Sequence, residues 1–191
     1  YDEWTLNNDV CILKLVKDPS WSQNDQNSES ETTFYPSIEL NFDSDIPERN
    51  AEMHVTGWGT TETEIHTMKP LDTIVLAMRN KKCSKLFTST FTNSMMCGAS
   101  PPDQKNDACS GDSGGPLVIK GGGRKGLDLL VGTVSWGITC ADSKYPGVYT
   151  KMSELGGWIQ RVACGATDVR DYCVNDGKAL PVRPKNKNRS R

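Results

Sequence analysis

Asn106-Asp107-Ala108-Cys109-Ser110-Gly111-Asp112-Ser113-Gly114-Gly115-Pro116 is the stretch on which the reading of the chain turns. A serine hydroxyl is not by itself a nucleophile. It needs a base to take its proton and donors to hold the oxyanion that its attack creates. Glycines at 111, 114 and 115 let the backbone turn tightly and leave N–H groups free to point at a bound carbonyl. Asp112 brings a charge that fixes such a turn if it meets a cation. Taken alone, Ser113 also reads as a loop hydroxyl and Asp107 as a solvated loop charge.

Outward from this loop the chain reads as short strands divided by turn residues. Leu117–Ile119, Leu129–Trp136 and Val148–Thr150 follow it; His54–Gly59 and Thr73–Met78 precede it. Gly121–Gly123 marks a hairpin end. The run Val10–Val16, Val-Cys-Ile-Leu-Lys-Leu-Val, reads as a buried strand, with Cys11 in it as a small hydrophobe. One helix is expected near the end, where Leu155, Trp158, Ile159 and Val162 recur at helical spacing behind Ser153 as a cap. Gly156 and Gly157 weaken it and Gly165 is placed to end it. Trp58 and Trp158 read as core packing. The polar segment Asp18–Thr33 reads as a long surface loop.

Composition narrows the class. The chain has 191 residues, a net charge of −2 and a pI of about 5.7. That balance argues against nucleic-acid or membrane-surface partners, and no stretch approaches the roughly 18 apolar residues of a spanning helix. Many Gly and Pro among Val/Ile/Thr-rich runs favour a β-rich, turn-rich fold over a helical bundle, and the fold class expected is all-β. Seven cysteines with no Cys-x-x-Cys and only two histidines argue for a disulfide framework in an oxidising compartment and against a zinc site. Seven is odd, so at least one thiol is free or pairs elsewhere. Arg183–Arg191 carries five basic residues and no acid, and reads as a disordered tail.

Gly111-Asp112-Ser113-Gly114-Gly115-Pro116 resembles the nucleophile motif of the chymotrypsin-like (trypsin-like) serine proteases. Other segments similar to that family follow in its order. Asn8-Asp9-Val10 resembles the segment bearing the triad aspartate. Gly57-Trp58-Gly59 resembles the family's mid-chain Gly-Trp-Gly. Ser135-Trp136-Gly137 and Pro146-Gly147-Val148-Tyr149-Thr150 resemble the walls of the specificity pocket. Trp158-Ile159 resembles the C-terminal helix. The likeness runs from about Asn7 to Gly165, so residues 1–165 are expected to form a partial peptidase domain and 166–191 a C-terminal extension.

The resemblance implies that Ser113 attacks the scissile carbonyl and that the N–H groups of Gly111 and Ser113 hold the oxyanion. It implies that Asp9 orients a histidine. Asp107 matches the base of the primary pocket, with Ala108, Ser135, Trp136, Gly137 and Gly147 around it. Cleavage after basic residues is then expected, Arg before Lys, because Arg meets a carboxylate in a bidentate fork whereas Lys needs further hydrogen-bond partners or water. Thr139, where the family usually has Gly, is expected to narrow the pocket rim. The family pattern pairs Cys83 with Cys97 and Cys109 with Cys140. A further family disulfide is replaced by Met53 and Ile119, two apolar residues that could pack together instead. The pairing of Cys164 and Cys173 stays open. No cofactor and no metal are implied; the expected partners are protein or peptide substrates, and the expected location is extracellular.

The family's histidine does not appear where the resemblance places it, N-terminal to the aspartate in an Ala-His-Cys-like segment. The chain opens on Tyr1-Asp2-Glu3, eight residues before Asp9, and His54 and His66 both lie in other segments. The family's activated N-terminal amine, partner of the residue matching Asp112, is absent from these residues as well. The expected fold is therefore a chymotrypsin-like double β-barrel with the C-terminal barrel intact, most of the N-terminal barrel absent, and a C-terminal helix. Three readings stand: a fragment of a complete protease, inactive by itself; an inactive homologue that binds or regulates; and a chain completed by a separate segment or chain.

Overall fold

The computed structural model describes residues 1–14, 16, 38–61, 67–104, 107–142 and 144–165, with the backbone alone of 164–165, 174–175 and 178–179. The segment Asp18–Thr33, His66, Cys173 and the basic run at the C-terminus lie outside the described residues.

The described strands are β1 (Glu39–Leu40), β2 (Glu52–Gly57), β3 (Leu71–Ala77), β4 (Met95–Ala99), β5 (Pro116–Ile119), β6 (Leu129–Trp136) and β7 (Gly147–Lys151), followed by a short ladder of β8 (Val174–Asn175) and β9 (Lys178–Ala179). Two α-helices interrupt them, α1 (Asn80–Phe87) and α2 (Met152–Gly165). Antiparallel pairing runs β6-β5-β2-β3-β4-β7, and β7 pairs back onto β6. Six strands thus close into a barrel, which removes open sheet edges. Strand β1 lies parallel along β6.

Alternation along the strands fills the barrel. Met53 and Val55 of β2, Val75 and Ala77 of β3, Leu117 of β5, Val131 and Val134 of β6 and Tyr149 of β7 share one buried cluster. Met53 is fully buried there and Ile119 packs against the same cluster, so the two apolar residues do share a core. Helix α2 lies against β6 through Met152, Leu155 and Ile159, joined by Val10, Leu40 and Leu130. Gly156 is required in that contact, because a Cβ would sit 2.4 Å from a ring carbon of Phe42. Helix α1 buries Cys83 and Phe87, one turn apart.

Several expectations are corrected. Val10–Val16 is not a buried strand: Leu13 is 81% exposed and Val16 99%, and Cys11 is an exposed free thiol. A strand requires a partner for its backbone groups, and the closed barrel presents this run with no free edge. Trp58 is 58% exposed rather than packed in the core, and Trp158 lies at the margin of α2, outside its buried stripe. Ser153 falls inside α2 rather than capping it. Helix α1 and strand β4 were not anticipated; α1 is only eight residues long, and its apolar face rests on Cys83, Leu86 and Phe87 alone.

Candidate active site

Ser113 sits in an exposed turn between the Asp107 loop and β5. Gly111 and Gly114 on either side have φ of 99° and 80°, a left-handed backbone that glycine adopts without strain. The turn is tied to β6 by Gly114 N–H donating to the Val134 carbonyl at 2.8 Å and Val134 N–H donating to Gly115 at 2.9 Å. Among the described residues, neither the Gly111 nor the Ser113 N–H donates to a protein acceptor, and the Ser113 hydroxyl has no partner. The turn therefore presents one hydroxyl and two free N–H groups at the surface.

Asp112 points the other way. Its Oδ1 accepts the Gly59 N–H at 2.8 Å and its Oδ2 the Cys109 N–H at 3.0 Å. The fixing partner is thus a pair of backbone donors rather than the cation its charge led one to expect. Its carboxylate fills the space that side chains at Gly57 and Gly59 would need; a Cβ at Gly59 would lie 2.4 Å from Oδ2. That close approach explains the glycines of Gly57-Trp58-Gly59 and leaves the tryptophan between them outside.

Asp9 reaches the same region from far away in sequence. The Ser135 hydroxyl donates to Asp9 Oδ2 at 2.7 Å, and the Thr150 hydroxyl donates to the Asp9 carbonyl at 2.7 Å. Ser135 directly follows Val134, which holds the Ser113 turn. Strand β6 therefore carries both anchors, and the structure brings Asp9 and the Ser113 loop to adjacent residues of one strand. Asn7 is held alongside, its Oδ1 accepting from the hydroxyls of Thr92 and Ser94.

Asp107 is partly enclosed between this loop and β7. Its Oδ1 accepts the Ala108 N–H at 2.8 Å and the Tyr149 hydroxyl at 3.2 Å, while the N–H groups of Ala141 and Gly147 also hydrogen-bond it. Burial pushes its pKa up to about 6, since these donors offset only part of the lost hydration. No ion pair reaches it among the described residues. Burial and the neighbouring Asp107 charge together push the Tyr149 hydroxyl well above the ordinary phenol range, so it stays a donor. Gly147 is fitted to this pair, because a Cβ there would lie 2.9 Å from Asp107 Oδ1.

The Cys109–Cys140 disulfide joins the loop to the segment carrying Thr139 and Ala141; Cys83–Cys97 joins α1 to β4. Thr139 is exposed and its hydroxyl is engaged by Asp142, 3.3 Å away. Trp136 packs edge-on against Phe87 with ring centroids 4.9 Å apart, and Gly137 follows it at the surface. A cavity of about 690 Å³ runs behind the loop between Asp107, Asp112, the disulfide and the β2–β3 strands. His54 lies on β2, its Nδ1 2.9 Å from Asp72, which also binds Lys120. Burial opposes ionisation of Asp72, but hydrogen bonds from Lys120, His54 and Thr56 outweigh it and hold its carboxyl below the usual range.

This arrangement can be set beside known proteins. The family model described as "Trypsin" matches residues 1–159. The chain belongs to the trypsin family. A trypsin of Phaedon cochleariae is 35% identical over 161 residues, covering 83% of this chain and 56% of that protein. Trypsin Blo t 3 of Blomia tropicalis is 32% identical over 165 residues, covering 84% and 56%. Among solved structures, neuropsin, a serine protease expressed in the limbic system of mouse brain, superposes with a TM-score of 0.56 at 30% identity, covering 66% of this chain and 53% of that one. The chain thus spans about half the length of the trypsin-family proteins it matches. Tyr149 is the site residue that sequence reading left without a role. Its signal was a tyrosine inside a buried strand, where the hydroxyl must find a partner.

Proposed function

We propose that the chain is the nucleophile-bearing part of a secreted serine endopeptidase that cleaves peptide bonds after basic residues, Arg before Lys. The observation that carries this reading is the Asp107 carboxylate, partly enclosed, hydrogen-bonded to Tyr149 and facing no cation among the described residues. A guanidinium meets such a group in two parallel bonds, and Ala108 offers no hydroxyl to help a lysine ammonium.

In the chemistry we assign, Ser113 Oγ forms a bond to the substrate carbonyl carbon while its proton passes to an imidazole oriented by Asp9. The carbonyl electron pair moves onto oxygen, which the Gly111 and Ser113 N–H groups hold. The imidazolium then protonates the leaving amine as the C–N bond breaks, and water releases the acyl group by the same steps. Ser135 positions Asp9 in this scheme. His54 is engaged on β2 by Asp72, which leaves the imidazole to come from outside the described residues. We infer that these 191 residues alone do not turn over substrate. The same observation supports a second reading, a homologue that binds basic peptide segments without cleaving them.

Active-site labelling with a fluorophosphonate tests both. The folded chain is expected to stay unlabelled, and a longer form carrying a histidine upstream of Asp9 is expected to label at Ser113 and to lose the label in Ser113→Ala. A longer form that folds without labelling would favour the binding reading; labelling that survives Ser113→Ala would place the nucleophile elsewhere.

A further inference from the structure

A second concave surface lies at the start of α1, lined by residues that the proposed chemistry does not use. It is a groove of about 370 Å³ between the turn at Glu48–Ala51 and α1, and five cations line it: Arg49, Arg79, Lys81, Lys82 and Lys85. All five are exposed, none forms an ion pair among the described residues, and no acidic side chain lines the groove. The frame is fixed by backbone bonds: Asn50 N–H donates to the Ala77 carbonyl at 2.9 Å, Ala77 N–H to Ala51 at 3.0 Å, and the Cys83–Cys97 bond holds the helix to β4.

Two of these charges are badly placed for the helix itself, whereas Lys85 in the last turn suits it. Lys81 and Lys82 occupy its first turn, where the backbone dipole disfavours cations, and that turn contains no acid. Lys81 and Lys85 stand one turn apart, a like-charge spacing that destabilises a helix. Clustered cations that crowd one another, stand partly against the helix dipole and find no partner among the described residues are relieved by an external chain of anions. The overall charge of −2 makes this concentration local rather than a property of the whole surface.

We propose that this groove binds a sulfated polysaccharide. The two disulfides place the fold in an oxidising compartment, where repeated sulfates rather than nucleic acids are the polyanions met, and a cluster of Lys and Arg is a surface for such chains. Lys81, Lys82 and Lys85 follow one another along about one turn of α1, with Arg79 at its N-cap, a spacing suited to successive sulfates on a flexible strand. The proposal does not depend on proteolytic activity.

The test is titration calorimetry of the whole chain with size-defined heparin oligosaccharides over a range of salt concentrations. Lys81→Ala/Lys82→Ala/Lys85→Ala is expected to weaken binding at least about tenfold and to lower the slope of log K against log salt by about one per cation removed. The same three positions changed to Arg should keep binding. Neutralising the basic residues of Arg183–Arg191 should also leave it intact. Circular dichroism verifies that each variant is folded. Binding unchanged in the triple alanine variant, or lost on neutralising the C-terminal run alone, would overturn the site. Displacement of the oligosaccharide by single-stranded DNA of equal charge would overturn the choice of ligand.

Discussion

Tyr149 directs its hydroxyl at the Asp107 carboxylate from 3.2 Å, and no cation among the described residues balances the pair. The folded pKa of Asp107, about 6, lies above the ordinary 3.8. The native state therefore holds this proton more tightly than the unfolded chain. Stability from this group is highest below pH 3.8, falls as pH rises from there to about 6, and stays lowered above it. Asp107→Asn is expected to raise stability at pH 7, by at most about 3 kcal/mol, as read from urea midpoints. Benzamidine affinity for the unmodified chain should grow about tenfold per pH unit below the folded pKa and level off above it, and Asp107→Asn should abolish it. A pH-independent affinity would remove Asp107 from the cation site.

The Asp112 carboxylate occupies the space that a side chain at Gly59 would need. Gly59→Ala puts a methyl 2.4 Å from Asp112 Oδ2 and is expected to cost about 2–4 kcal/mol. Asp112→Ala leaves the N–H groups of Gly59 and Cys109 without their acceptor and costs about 2 kcal/mol. The double variant should lose less than the sum, because the clash disappears with the carboxylate. Strict additivity in thermal unfolding would mean that the two do not touch.

Ser135 gives its hydroxyl to Asp9. Ser135→Ala is expected to lower stability by about 1–2 kcal/mol, as for a hydrogen bond to a charged acceptor. In a cycle with Asp9→Asn the two changes should couple by about 1 kcal/mol. A coupling indistinguishable from zero would show that the contact contributes nothing in solution.

Met53 is fully buried in the barrel. Met53→Ala is expected to cost about 2–5 kcal/mol through the cavity it leaves. Met53→Leu, which nearly conserves volume, should cost less than about 1.5 kcal/mol. Equal losses in the two variants would indicate that the barrel interior is not closely packed at this point.

The barrel was largely legible in the chain. Strands β2, β3, β5, β6 and β7 follow from alternating or short apolar runs between turn residues, and α2 from Leu155 and Ile159 at helical spacing. What misled was apolar content without a partner. Val10–Val16 has a strand's composition, but composition does not supply a neighbouring backbone, and residues 11–14 and Val16 lie exposed. The Gly-Trp-Gly segment misled in the same way: its glycines serve Asp112, while Trp58 turns outward. For the candidate site, the Ser113 turn was visible in its glycines. Two other relationships, Asp9 with Ser135 and Asp107 with Tyr149, join residues far apart in the chain. No local pattern announces such pairs; they follow from the register of β6 against β7.

Strands β6 and β7 serve as seam and scaffold at once. They seal the barrel by pairing with each other, and the residues they carry, Val134, Ser135, Gly147 and Tyr149, hold Asp9, Asp107 and the Ser113 turn. Loosening that framework means unzipping the seam. Amide protons bonded across the β6–β7 ladder should therefore exchange only when the whole barrel opens, while the connection between the two strands lies outside that ladder. Sequence changes that spare the seam fall there, on the short span that the Cys109–Cys140 bond tethers from outside it.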